Sequence, residues 1–404
     1  MEKTKYVILL ADGMADRGLV ELDGKTPLMI ANTPSMDMMA SRGTFGYVST
    51  AVEGFPPGSD IMNMNILGYR PERYYTGRAP LEAMSLDIPL EPDDVVFRVN
   101  FVTLKPKGKT AVMEDYAAGH ISTDHAGEII RLFQSELGDG ARSFYAGKSY
   151  RHLMVWHDGP DDLELVPPHD IMGKEISAYI PREPKLVQLL QRAMELLREH
   201  PVNQLRVARG QRPANSIWFW GQGKKSNLPL FKERWGLTGA VVCAVDLIKG
   251  LGKSAGLEVS DVPGATGYYD TNYEGKVKFA LDALEEKDFV FLHVEAPDEA
   301  GHNAEIEFKI EAIENFDARV VEPVLKGMEK FSSWRVLVMP DHATPIEVRT
   351  HVKDAVPFAI LTSEDPLEPR RERKFEENVE GEVLGSKEYI GEIGNLHRLF
   401  FGKE

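Results

Sequence analysis

Three short apolar runs, far apart in the chain, each end abruptly in a cluster of acids and histidines. No other feature limits the fold as much. Tyr6–Leu10 runs into Ala11-Asp12-Gly13, Phe289–His293 into Glu295-Ala-Pro-Asp298, and Arg335–Met339 into Pro340-Asp341-His342. Their length and β-branched content mark buried strands. Apolar residues at helical spacing fill Lys185–Arg198 and Glu305–Lys330. Strands alternating with helices predict an α/β fold, a mostly parallel sheet sandwiched by helices. Ligands of such sheets gather beyond the carboxyl ends of the strands, which is where these polar clusters fall.

The stretch 89–181 reads differently. Val95–Leu104, Lys109–Met113, Ser143–Tyr145 and His152–Trp156 look like short strands separated by turns, and Ser122–Leu137 like a helix capped by Ser122 or Thr123. With 404 residues the chain is long for one core. The expected organisation is therefore a core made of 1–88 and 182–404, interrupted by a smaller inserted α+β domain at 89–181. The charge-rich stretch Glu364–Gly385 is expected to be an exposed excursion.

Charge narrows the partners. A formal net charge of −16 argues against nucleic acid, which needs a basic face, but not against a small anion held by a few local cations. No apolar run approaches the ~18–20 residues of a membrane span. Met1-Glu2-Lys3 leads straight into the first apolar run without a signal-peptide pattern. The single cysteine, Cys243, cannot form a disulfide within the chain. Together these give the expectation of a cytoplasmic protein that binds neither membrane nor nucleic acid, with its oligomeric state open.

Three of the 11 histidines lie near acids between Pro297 and Lys353: His302 in Asp298-Glu-Ala-Gly-His302, His342 beside Asp341, and His351. Taken singly, Asp12-Gly13 reads as a turn, Asp298 as the start of a capped helix and Asp341-His342 as a polar strand end. Taken together at predicted strand ends, they form a mixed oxygen and imidazole donor set suited to Mn²⁺ or Zn²⁺. Ser59 follows Phe55-Pro-Pro-Gly58 and precedes a helical run. It reads as an N-cap, and also as a nucleophile at the positive end of a helix, where backbone N–H groups favour phosphate.

The chain resembles the archaeal-type, cofactor-independent (2,3-bisphosphoglycerate-independent) phosphoglycerate mutases of the alkaline-phosphatase superfamily over nearly its whole length. The resemblance is carried by Leu9-Leu-Ala-Asp12-Gly-Met-Ala-Asp16, Pro57-Gly-Ser59-Asp60 with Ile66-Leu-Gly-Tyr69, and Thr76-Gly-Arg78-Ala-Pro-Leu-Glu82-Ala. Further carriers are Asn100-Phe-Val-Thr103, Pro213-Ala-Asn215 with Gly221-Gln-Gly223, and Pro263-Gly-Ala-Thr266-Gly with Asp270-Thr-Asn-Tyr273. The last are His293-Val-Glu-Ala-Pro-Asp298 with Gly301-His302, and Asp341-His342-Ala-Thr-Pro345.

The resemblance implies an alkaline-phosphatase-like core and two divalent cations, Mn²⁺ first, with Zn²⁺, Co²⁺ or Mg²⁺ as alternatives. Asp298, His302 and His351 would hold one cation; Asp12, Ser59, Asp341 and His342 would hold the other. Ser59 would be phosphorylated in turnover. The substrate would be a small phosphorylated carboxylic acid, handled by Arg78, Asn100, Asp115, His120, Arg151 and Lys276, with Arg98 as a further cation. Tyr116 and His120 stand where archaeal members tend to carry arginines, which keeps a homoserine kinase or another phosphotransferase or phosphatase on the same core as the alternative. The chain has no Gly-x-x-x-x-Gly-Lys-Ser/Thr loop for nucleotide phosphates.

Overall fold

The computed structural model describes residues 3–378, 383 and 386–402. In chain order the strands are β1 (Lys5–Ala11), β2 (Thr44–Ser49), β3 (Asp94–Lys107), β4 (Thr110–Asp115), β5 (Arg142–Tyr145), β6 (Arg151–His157), β7 (Ser216–Lys224), β8 (Gly239–Val242), β9 (Glu258–Ser260), β10 (Phe289–Val294), β11 (Trp334–Met339), β12 (Val356–Thr362) and β13 (Tyr389–Glu392). They fall into two compact units, Met1–Tyr75 with Asn227–Glu404, and Thr76–Ser226.

The larger unit is built on one sheet, in the order β13-β2-β12-β11-β1-β10-β8-β9. Only β12 runs against its neighbours there; the other pairings are parallel. The central strands carry apolar side chains on both faces, Val7, Leu9, Val290, Leu292, Val336 and Val338 on one and Ile8, Leu10, Phe291 and Leu337 on the other, and all of these are buried. Register then does the functional work. Leu10 pairs with His293 on one side and with Met339 on the other, so the chain leaves β1, β10 and β11 at the same edge.

Two sequence expectations change here. The pattern Glu305–Lys330 is helical without a break over 306–328, but it is not a regular α-helix throughout. It is Ile306–Phe316, a π-turn at Asp317–Val321, then Glu322–Met328. Asp317 is buried in that turn and accepts from the backbone N–H groups of Ser35 and Met36, so its carboxylate serves another helix start. Nor is Glu364–Gly385 wholly exposed: Phe375 and Glu377 are buried. Residues 379–382, 384 and 385 of that stretch lie outside the described residues.

The smaller unit is antiparallel. The long β3 pairs with β6 and β7 along its first half and with β4 along its second. The helix Thr123–Glu136 is capped by Ser122, whose hydroxyl accepts from His125 N, and it packs with Pro184–Glu199 on the sheet. The unit extends beyond 89–181 on both sides. The helix Arg78–Ser85 packs on β3 and β7, and β7 hydrogen-bonds along β3. That pairing joins segments too distant in sequence for local patterning to reveal.

His152 on β6 lies in this core with its ring 4.4 Å from that of Phe101. Burial pushes its pKa down to about 3 from the ordinary 6.5. The neutral ring therefore contributes stability in full above pH 6.5, and that contribution is lost as pH falls toward 3. Two pH units on this slope correspond to about 2.7 kcal/mol. Urea unfolding between pH 6.5 and 4.5 should show a flatter pH dependence for His152→Leu than for wild type. Equal slopes would mean that His152 does not titrate as described.

Candidate metal centre

Asp12, Asp298, Asp341 and His342 are all buried beyond the strand ends. The turn after β1 needs Gly13, whose φ is +60° and whose missing Cβ leaves room for the Asp298 carboxylate and the Thr344 hydroxyl. Gly13 N and His342 N both donate to Asp341 Oδ1, and Asn63 Nδ2 donates to Asp341 Oδ2 at 2.7 Å. The imidazole Nε2 of His342 lies 3.3 Å from both Asp12 Oδ1 and Asp341 Oδ2. It also lies 3.1 Å from Ser59 Oγ. Asp12, Asp341 and Ser59 thus meet at His342, whose ligand atom also lies within 4.8 Å of those of Asp298 and His351.

Asp298, His302 and His351 converge beside them. Asp298 Oδ2 is 3.2 Å from His302 Nε2, and Asp298 Oδ1 is 3.5 Å from His351 Nε2. The two Nε2 atoms are themselves 3.0 Å apart. Their other nitrogens settle the tautomers. His302 Nδ1 donates to Arg349 O, and His351 Nδ1 to Pro57 O. The Thr344 hydroxyl donates to Asp298, so it accepts from His342 Nδ1. Each ring thus carries a proton on Nδ1 and turns Nε2 inward, the nitrogen with which a histidine so held ligates a metal once that nitrogen is deprotonated.

The electrostatics ask for cations. Burial and the adjacent Asp341, Asp298 and Glu295 carboxylates push the Asp12 pKa well above its usual range. Asp12 Oδ1 is buried without a hydrogen-bond partner. Burial would raise Asp298 too, but hydrogen bonds from His302 and His351 outweigh it and hold that pKa well below the usual value. Burial lowers His342 to about 4, which keeps it neutral. An orphaned carboxylate oxygen, crowded acids and converging imidazole nitrogens are the donor set of divalent metals.

Ser59 opens the helix Ser59–Ile66, but Gly58 is the N-cap position, and Ser59 Oγ makes no capping bond. Its hydroxyl points instead to His342. Lys276 is brought to the backbone: it is 1% exposed and its Nζ donates to His293 O at 3.0 Å.

In the smaller unit, Arg78, Arg98 and Arg151 surround the single carboxylate Glu82, where they oppose its burial and lower its pKa. Arg98 is buried over the Trp220 ring, and burial lowers its pKa to about 10. Asn100 is buried, and its Oδ1 accepts from Trp220 Nε1. His120 and Arg151 both flank the Tyr150 ring. Asp115 is tied up by Ala117 N, Gly119 N and Arg212, which hold its pKa below the usual value against burial.

Several residues of the centre escape sequence reasoning. Asn63 stands one helical turn after Ser59, a spacing that puts both on one face. Lys309 sits within a helical pattern with no sign of its partner. Its Nζ is buried and donates to Asp16 Oδ2, Ala15 O and Thr344 O, tying the turn after β1 to the loop after β11. Lys309→Met leaves Asp16 as an uncompensated buried charge, with an expected loss of about 3–5 kcal/mol in urea unfolding. Adding Asp16→Asn should recover part of it. A single variant within about 1 kcal/mol of wild type would remove this pair from the support of the site.

A family model described as 2,3-bisphosphoglycerate-independent phosphoglycerate mutase matches residues 40–203. A Methanothrix thermoacetophila protein of that description is 52% identical over 363 residues, 89% of this chain and 91% of its own length. A Methanosarcina acetivorans protein of the same description is 48% identical over 398 residues, covering 97% of this chain and 99% of its own. Among solved structures, the PH0037 protein of Pyrococcus horikoshii superposes with a TM-score of 0.80 at 29% identity, covering 100% of this chain and 97% of its own.

Proposed function

The chain belongs to the family of 2,3-bisphosphoglycerate-independent phosphoglycerate mutases, and from that premise we propose that it isomerises 3- and 2-phosphoglycerate through a phosphoserine at Ser59. The observation that carries the chemistry is the approach of Ser59 Oγ to His342 Nε2, 3.1 Å, inside a ring of buried carboxylates. In this reading Asp298, His302 and His351 hold one divalent cation, and Asp12, Asp341, His342 and Ser59 hold the second. When bound, such cations lower the pKa of a neighbouring hydroxyl and offset the charge of a phosphoryl group in transfer. Mn²⁺ suits the mix of carboxylate and imidazole.

The residues then divide the work. Ser59 gives up its proton and attacks phosphorus. The P–Oγ bond forms, the bond to the substrate's 3-oxygen breaks, and that oxygen takes a proton. The 2-hydroxyl then gives up its proton and attacks the phosphoserine phosphorus; the bond from phosphorus to the 2-oxygen forms as the P–Oγ bond breaks, and Ser59 Oγ regains a proton. The positive end of the dipole at the start of the helix Ser59–Ile66 favours the phosphoryl oxygens. Asn63 steadies Asp341 and the Ser59 carbonyl together through Nδ2. In the smaller unit, three arginines around one glutamate leave net positive charge, and we assign Arg78 and Arg151 to the substrate's anionic groups.

No helix of the described residues is long and apolar enough to cross a membrane. A glycolytic and gluconeogenic isomerase with one buried cysteine belongs in the cytoplasm. The test is a coupled assay of purified protein with 3-phosphoglycerate and Mn²⁺, without bisphosphoglycerate or ATP. Formation of 2-phosphoglycerate is the expected result. Inactivity there with phosphorylation of homoserine by ATP would replace the mutase with a kinase.

A further inference from the structure

His293 is the last-but-one residue of β10 and is fully buried, yet neither of its ring nitrogens has a hydrogen-bond partner. A buried imidazole ordinarily satisfies at least one of them. Its Nε2 lies 3.0 Å from Asp12 Oδ2 without making a hydrogen bond to it. That separation is the one expected of two neighbouring ligands on a shared cation. Bonds of about 2.1 Å meeting at a right angle put their donor atoms about 3.0 Å apart.

A third donor is in place. Ligand atoms of Asp12, His293 and Asp341 all lie within 4.8 Å of one another. Sheet register brings them together, since Leu10 pairs with His293 and with Met339, and Asp12 and Asp341 each follow two residues after a member of that row. The Lys276 ammonium is spent on the His293 carbonyl, which pins the strand end. The two oxygens of Asp12 divide between two imidazoles: Oδ1 faces His342 and Oδ2 faces His293.

We infer that His293, through Nε2, is a further ligand of the divalent cation held by Asp12 and Asp341, bound on the side of the Asp12 carboxylate opposite His342 and Ser59. This rests on the two-cation reading of the site and deepens it. Two imidazoles and three oxygen donors then surround that cation, a set that favours Mn²⁺, Co²⁺ or Zn²⁺ over Mg²⁺.

The experiment uses the full chain stripped of metal by chelator and titrated with Mn²⁺, free ion being read by electron paramagnetic resonance. Wild type should take up two ions and Asp298→Ala one. His293→Gln keeps an amide that donates and accepts hydrogen bonds, so a hydrogen-bonding role would be rescued by it. As a lost ligand, it should weaken one of the two sites by about 100-fold while the other is unchanged. Two sites of unchanged affinity in His293→Gln would overturn the inference and leave the two-cation reading standing. A wild type that takes up no Mn²⁺ would overturn both.

A second measurement leaves His293 in place. In Asp298→Ala loaded with a single Mn²⁺, spin-echo modulation should report two coordinated imidazole nitrogens, from His342 and His293. A single nitrogen would overturn the inference even if the glutamine variant failed to fold.

Discussion

Ser59→Ala should fold, bind divalent cations and isomerise phosphoglycerate roughly 10⁵-fold more slowly than wild type, the scale of losing a covalent nucleophile. The fold is expected to survive because Ser59 caps nothing. Gly58 holds the N-cap position, and the Ser59 hydroxyl is committed to His342 instead. Alanine also suits the first turn of a helix. Two ligand groups remain around the vacated hydroxyl, since Asn63 orients Asp341 through its own amide and the Ser59 contribution to that network is a backbone carbonyl. Wild type incubated with 3-phosphoglycerate and quenched in acid should yield a peptide phosphorylated at Ser59. Substantial turnover by the alanine variant, or phosphate on another residue, would take this serine out of the mechanism.

Removing metal with a chelator should abolish activity, and Mn²⁺ should restore it best. The reason lies in the burial of Asp12 and its crowding by Asp341, Asp298 and Glu295, which together drive the Asp12 pKa upward. Without cations these acids must share protons, and the Nε2 atoms of His302 and His351 face each other 3.0 Å apart, with a proton between them. Cations relieve both, so binding should stabilise the fold as well as switch on catalysis. At 100 times its dissociation constant, an ion adds about 2.7 kcal/mol, visible as a rise in thermal midpoint. Mild acid should weaken the metal complex, because ligand imidazoles must be neutral to bind. Full activity in a preparation verified as metal-free would defeat the two-cation reading.

Much of this was legible before any coordinates. Runs such as Tyr6–Leu10 and Phe289–His293 are too short for helices and too apolar for half-exposed strands, so they had to be central strands of a covered parallel sheet. Polar residues immediately after such strands have one edge to go to, which places Asp12, Asp298 and Asp341 near one another without further information. The helix at 122–137 was readable from its cap and spacing, because helix starts are local events.

Other features depend on contacts that local patterning does not encode. The smaller unit runs from Thr76 to Ser226 because β7 hydrogen-bonds along β3, and nothing in either segment names its partner. The helical pattern across Glu305–Lys330 hides the π-turn at Asp317, whose carboxylate answers N–H groups at Ser35 and Met36. Lys309 looks like any helix-face lysine until Asp16 is found against it. Sequence by itself determined the class of sheet, the edge where chemistry gathers and the residue types available there, since these follow from hydrophobic period and strand termini. Tertiary structure alone decided which nitrogen of each histidine faces inward, that Ser59 meets His342 rather than capping its helix, and that His293 turns both nitrogens away from hydrogen bonds beside Asp12. The direction of a lone pair is set by neighbours across the sheet, and strand register is where that information first exists.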